Sequence, residues 1–397
     1  METRTIELAS VITDIAAGPF GSNLKVSCFV DEGFPIIDGA NLKGIKVTDN
    51  VTKFVTEDKA RSLHRSIASR GDVVVTISGN VGQISYIPSD SQYAEYLVSQ
   101  RQFRVTFDTK QVYVPYLVYY FHTYEGKHKI LSFANQTGVP ALAQPLKNFK
   151  KISMELPSLD EQKRIASVCE AITGKIETND KINDNLQQQA FALFDKLLSG
   201  EHLEVCSLSE IAELNPKRSL TKNEMARYID MAQLSTSGSF PNGWESKPYN
   251  GGMRFANGDT LLARITPCLE NGKTAYIDFL DTDEVAFGST EYVVMCSQGQ
   301  YPSEFFYCLA RYPSFVDYAV KNMNGSSGRQ RVTAETIGKY ILPRLTDDEL
   351  AEFRDVVPAL FSAMRLNSLE NISLSELRDT LLPKLMSGEN DVSDIQL

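Results

Sequence analysis

The chain of 397 residues is too long for one ordinary core and calls for two or more domains. Its 42% hydrophobic and 23% charged content excludes a disordered protein, and a net charge of −10 runs against a uniformly basic nucleic-acid platform. The charge is unevenly spread: residues 1–157 carry 17 basic and 15 acidic side chains, while 344–397 carry 5 and 11, so much of the acidity lies in the last segment.

The opening METRTIELASVITDIAAGPF lacks a basic stretch followed by an apolar one, so no signal peptide is expected. Apolar runs such as VVVTI at 73–77 are far too short to span a bilayer, and a cytoplasmic location is expected. The cysteines at 28, 169, 206, 268, 296 and 308 and the histidines at 64, 122, 128 and 202 are scattered. Without clustered ligands no metal site is expected, and the thiols read as small hydrophobes.

In chain order, residues 1–157 hold β-branched and aromatic runs broken by Gly, Pro, Asn and Asp, among them VVVTI and QFRVTF. That is the pattern of a mixed domain with short strands. Residues 158–200 follow as a long helix, 201–343 as a second mixed domain containing EYVVM, 344–389 as a second long helix, and 390–397 as a tail. The order repeats because the sequence does. LLSGE at 197–201 returns as LMSGE at 385–389, Gly71-Asp72 as Gly258-Asp259, and Leu156-Pro157 as Leu342-Pro343.

The helical segments carry apolar residues three and four apart: Ile165, Val168, Ile172, Ile182, Leu186 and Leu193, then Phe353, Val356, Leu360, Leu374, Leu377 and Leu381. Such spacing is a heptad seam, and the matched Asn179 and Asn367 on it would fix register at some cost in stability. Each helix lies either against its own domain or against the other helix, the second being favoured. Pro358 and Pro383 should disturb the second helix locally. Antiparallel helices of 40 residues, about 60 Å long, would act as a rigid spacer between two heads related by a pseudo-two-fold axis. The predicted class is α+β, with two mixed α/β domains and two long antiparallel coiled-coil helices.

Motifs for chemistry are absent. ENGKT at 270–274 lacks the upstream glycine of a phosphate loop, and GSSGRQ at 325–330 is not a dinucleotide fingerprint. No nucleophile elbow or His-Glu-x-x-His occurs. An amino-methyltransferase would show Asn-Pro-Pro-aromatic, whereas Asn215-Pro216-Lys217-Arg218 lacks the second proline and the aromatic. No catalytic residue and no cofactor are assigned to the chain.

GPFGSNLK at 18–25, RGDVVVTISGNVG from 70, LPSLDEQKRIASV at 156–168, LNPKR at 214–218 and LLPKLMSGE at 381–389 carry a resemblance over essentially the full length. The chain resembles the specificity subunit of type I restriction-modification systems. The second copy reads LPRLTDDELAEF, with Asp347-Asp348 where Glu161-Gln162 stand, so a contact made by that glutamine is lost there. The resemblance implies two target-recognition domains that bind a bipartite double-stranded DNA target. It also implies paired helices that dock methyltransferase subunits, which hold the S-adenosylmethionine, and restriction subunits reached through that complex.

Base edges are read by Arg or Lys at guanine and by Asn or Gln at adenine, while phosphates take Lys, Arg, Ser, Thr and backbone N–H. In the first domain the candidates are Ser22, Asn23 and Lys25; Asn41 and Lys43; Ser78 and Asn80; Gln100, Arg101 and Arg104; Gln136 and Thr137. In the second they are Lys217 and Arg218; Arg264, Thr266, Asn271 and Lys273; Ser289 and Thr290; Ser326, Arg329, Gln330 and Arg331. Each of these strings is also an ordinary turn. GSSGRQR is the leading candidate, with NQTGVPAL as its counterpart, since Gly328 matches Gly138. Phe20, Tyr119, Phe121, Phe305 and Tyr307 are expected in the core. Two other readings stay open: a coiled-coil scaffold whose heads bind protein, and the specificity part of another DNA-modifying or defence complex.

Overall fold

The computed structural model describes residues 3–135, 140–200, 202, 204–326 and 328–390. The chain divides into two compact units, Met1–Thr173 with Glu376–Leu397 and Gly174–Ser375. Among the described residues no helix is long and apolar enough to cross a membrane.

In the first unit the β-rich runs become strands as their composition predicts. Ile12–Ala17, Gln102–Phe107, Val73–Thr76 and Ile84–Tyr86 form an antiparallel four-stranded sheet in that order. A five-stranded sheet beside it runs Phe29–Val30, Phe54–Val55, Phe34–Ile37, Glu95–Val98, Ile67–Ser69. Thr3–Glu7 pairs with Ser153–Pro157, and helices Val114–His122 and Tyr124–Leu131 follow the last strand of the first sheet. Alternation along Gln102–Phe107 buries Phe103, Val105 and Phe107 on one face and turns Arg104 and Thr106 to the other.

The second unit uses the same plan. Ala212–Leu214, Tyr292–Ser297, Thr260–Ala263 and Thr274–Tyr276 make the antiparallel sheet, and Glu245–Pro248, Met225–Ile229, Ala286–Gly288 and Met253–Phe255 make the second. Val205–Ser207 pairs with Ile341–Pro343, and helices Ser303–Arg311 and Pro313–Lys321 follow the corresponding strand. The Gly-Asp repeat has one structural job in both units. Gly71 and Gly258 turn with φ of +89° and +86°, a conformation glycine adopts without a Cβ penalty. Asp72 and Asp259 then cap the turns by accepting from Ser69 N–H and Ala256 N–H.

The long helices are Leu159–Leu198 and Asp347–Ser387. Ser158 and Thr346 cap their N-termini. Both unit boundaries fall inside these helices. In the first unit Ile165, Val168, Cys169 and Ile172 are buried from one helix, and Leu382 and Leu385 from the other.

In the second unit the helices run antiparallel. Lys196 meets Glu352, Asn183 meets Asn367 and Ser368, and Asn179 meets Glu370 and Asn371. Ala190, Phe194, Phe353, Val357, Phe361 and Met364 share one core with the aromatic helix Ser303–Arg311. The helices therefore pack on each other and on their domain at once, so the two alternatives are not exclusive.

Several details of the seam differ from expectation. Ile182 and Val356 are 44% and 40% exposed, and Leu377 is also exposed, because the buried stripe of the second helix steps through Phe353, Val357, Phe361 and Met364. Asn179 and Asn367 lie in one polar stretch but bond to other residues, not to each other. The helix continues through Pro358 and Pro383, since a long helix anchored at both ends of a packed stripe absorbs the lost N–H bond.

The Glu161-Gln162 correspondence is also revised. The second copy has two extra residues between its proline and its cap, so Gln162 is matched by Leu350 and not by Asp348. Gln162 is buried, accepts from Tyr113 N–H at 2.8 Å and donates to the carbonyls of Gln111 and Pro157 at 3.0 and 2.9 Å. Leu350 is buried and apolar. The polar work there passes to Tyr301 Oη, which accepts from Leu345 N–H, and to Gln300, which donates to Leu345 O.

Candidate nucleic-acid interface

In both units the loop before the last short helix is tied to the turn that ends a central strand. In the first unit Leu142 N–H bonds Ile77 O, and Gly79 N–H bonds Pro140 O. In the second, Val332 N–H bonds Arg264 O, and Thr266 N–H bonds Gln330 O. Residues 140–142 of the first unit and 330–332 of the second thus occupy equivalent places, at the end of equivalent sheets. Gln136, Thr137 and Gly138 themselves lie outside the described residues.

The first unit has a cleft of about 600 Å³ beside this turn, lined by Ser78, Asn80, Gln100 and Arg101 together with Asp38, Lys53, Gln83 and Gln102. Four of the expected residues converge here. Asn80 and Arg101 are exposed, while Gln100 donates to the carbonyls of Gly21 and Leu24, which fastens the 18–28 loop to the cleft rim. Asp38, Lys53, Gln83 and Gln102 were not anticipated. They come from separate strands and turns, and only the sheet order brings them together. Lys53 and Asp38 form a 2.6 Å ion pair. Burial opposes ionisation of Asp38, but Lys53 and the Ala40 N–H hold its carboxyl below the usual range. Lys43 and Asn80 line a second cleft of about 330 Å³ with His122 and Lys127. Ser22, Asn23 and Lys25 stand exposed on the 18–28 loop.

Two residues expected at the interface are occupied elsewhere. Asn41 is buried, donating to the carbonyls of Thr48 and Asn50 and accepting from Asp38 N–H. Arg104 is 8% exposed and donates to Asp14 and to Arg65 O. It lies inside the strand and not on the turn that carries Gln100 and Arg101. Its hydrogen bond holds the Asp14 carboxyl below the usual range.

In the second unit Glu291 sits between two arginines. Arg331 grips it with a fork at 2.7–3.0 Å, and Arg264 Nε lies 3.6 Å away. The Arg331 hydrogen bonds hold the Glu291 carboxyl low. Arg331, one of the leading candidates, therefore spends its fork internally, and it braces the loop by donating to Arg329 O. Arg329, Ser326, Thr290, Asn271 and Lys217 are exposed; Thr266, Gln330 and Ser289 are half-buried, and Ser289 accepts from Glu291 N–H.

Arg218 and Lys273 are structural. Arg218 forks onto buried Asp259 at 2.6 and 3.0 Å, and Lys273 donates to Met231 O. Burial still raises the Asp259 carboxyl. Tyr119, Phe121, Phe305 and Tyr307 are buried as expected, but Phe20 is 80% exposed, because Pro19 and the Gln100 tethers carry its loop off the sheet. Among the described residues no cluster of His, Cys, Asp and Glu could hold a metal ion.

Residues 29–188 match the family described as Type I restriction modification DNA specificity domain. The chain is 30% identical over 203 residues to the EcoEI specificity subunit of Escherichia coli, covering 48% of this chain and 34% of that one. It is 22% identical over 374 residues to the MjaIX specificity subunit of Methanocaldococcus jannaschii, covering 86% and 82%. The chain thus spans about a third of the length of the first relative and most of the second. Its fold is similar to that of a type I restriction-modification S subunit from M. genitalium, with a TM-score of 0.58 at 14% identity over 97% of this chain and 96% of the other. By the match over residues 29–188, its relatives and its fold, the chain is similar to the specificity subunits of type I restriction-modification systems.

Proposed function

We propose that the chain reads a bipartite double-stranded DNA target, one half-site for each unit, and lends that specificity to methyltransferase subunits docked on the long helices. Restriction subunits join through that complex. The chain itself does no chemistry. The observation that carries the reading is the duplicated placement of amide- and cation-bearing loops at the end of equivalent sheets, tied by the same backbone bonds in both units. Two such surfaces on one chain suit two half-sites on one duplex. In the first unit Asn80 and Arg101 present amide and guanidinium groups suited to adenine and guanine edges; in the second Arg329 does so. Lys25, Lys43 and Lys217 serve phosphates.

Mapping N6-methyladenine in cells that express the chain with its methyltransferase partner tests this. A single motif of two defined blocks separated by a fixed unspecified gap is expected. A continuous motif, or methylation that is unchanged when the chain is omitted, would refute it.

A further inference from the structure

We infer that Phe20 is an apolar wedge that enters the base stack of the half-site read by the first unit; this rests on the DNA reading proposed above. A phenylalanine is normally buried, and this one is 80% exposed, with Val26 on the same loop at 82%. The loop that carries them is held firmly. Gly18 N–H bonds Gln102 O at 2.9 Å, and a Cβ at Gly18 would stand 1.9 Å from Ser99 O, so only glycine allows this close approach. Gln100 donates to Gly21 O and Leu24 O, Leu24 is buried beneath the loop, and Asn23 N–H closes a tight turn on Phe20 O. The ring is therefore presented outward from a fixed base, on the loop whose Leu24 lines the cleft that also holds Asn80 and Arg101.

Charge names the occupant. Lys25 on the same loop and Arg101 on the adjoining rim are both exposed, so an apolar tip is flanked by cations, as suits a polyanion with an apolar interior. The second unit supplies an independent sign. There the strand Ala212–Leu214 also leaves the sheet through a proline, Pro216, about two rungs earlier on the ladder, and the next residue is the exposed Lys217. Near the corresponding departure the second unit thus offers a cation, where the first offers an apolar side chain about two rungs further on. Apolar side chains that enter between base pairs unstack them and kink the duplex. The two units then hold their half-sites differently, the first by insertion and the second by phosphate contact.

The test uses the full chain and duplexes of the target mapped by methylation, with 2-aminopurine placed at each position in turn. The wild type should raise fluorescence at one step within one half-site. Phe20→Ala should abolish that rise and weaken specific binding about tenfold or more, in line with the loss of one base–aromatic contact. Phe20→Trp should retain the rise. Because the ring is exposed, the melting temperature of each variant should match the wild type. A rise that survives Phe20→Ala, or sequence-specific binding by the wild type with no rise at any position, overturns the wedge and leaves the DNA reading intact. If the wild type shows no sequence preference, the DNA reading fails and the wedge with it.

Discussion

Replacing Gln162 by leucine, the residue at the matching position of the second long helix, should destabilise the first unit selectively. The swap is close in volume, so packing changes little and hydrogen bonding dominates. Three backbone groups lose their partner: Tyr113 N–H and the carbonyls of Gln111 and Pro157. Gln162 is fully buried, so water does not replace it. An abandoned buried polar group costs about 1–3 kcal/mol, which puts the total for three at about 3–9 kcal/mol. For a domain of this size the melting temperature falls about 2–4 °C per kcal/mol, so a drop of about 6 °C or more is expected. Hydrogen exchange should rise in Thr3–Glu7, Ser153–Pro157 and Val114–His122, with Ser303–Arg311 unchanged. The reciprocal Leu350→Gln should also destabilise, because that site offers no matching set of backbone groups. A loss under about 1 kcal/mol, or exchange rising equally in both units, would refute the reasoning.

Arg218→Ala should cost about 3–5 kcal/mol, since it strands a buried carboxylate. Burial raises the folded pKa of Asp259. Stability from that group is thus present below its unfolded value and lost as pH rises through the folded one. Removing Arg218 raises the folded value further, so the deficit in thermal melts should shrink on acidification from about pH 7.5 to about pH 5. Arg329→Ala should weaken recognition of one half-site by about 1–3 kcal/mol, measured on targets scrambled in either half; equal losses on both would remove Arg329 from base reading. Lys25→Ala should weaken binding to all sequences alike and reduce the salt slope by about one, read from titrations at several salt concentrations. Asn179→Leu should raise the melting temperature of the second unit, because the buried Asn179 Oδ1 has no partner among the described residues and a polar seam residue costs stability.

The duplication was legible because its markers do backbone work. Gly71-Asp72 and Gly258-Asp259 build the same capped turn, and a turn leaves its residues in fixed order. The long helices were legible from spacing, but their buried faces were only partly so. The stripe Phe353, Val357, Phe361, Met364 departs from the heptad as the helix turns toward its aromatic neighbour, which no local pattern announces. At the interface, residue type alone could not separate Arg101 from Arg104, or Arg329 from Arg331. The acids that occupy Arg104 and Arg331 stand 90 and 40 residues away, and only folding reveals that these guanidinium groups are taken. Lys53 escaped notice for the converse reason, since it lies in no string that resembles a contact loop.

The division of each long helix between the units has a consequence for synthesis. The second unit is one unbroken stretch, Gly174–Ser375, whereas the first draws on both ends of the chain. Domains tend to fold as units during translation, N-terminal first. Here the part made first must wait for Leu382 and Leu385, which are buried in it and are made only after the whole of the second unit. The order of completion is therefore the reverse of the order of appearance. A premature stop after Ser375 would spare the domain beside it in sequence and leave the opening domain unfinished.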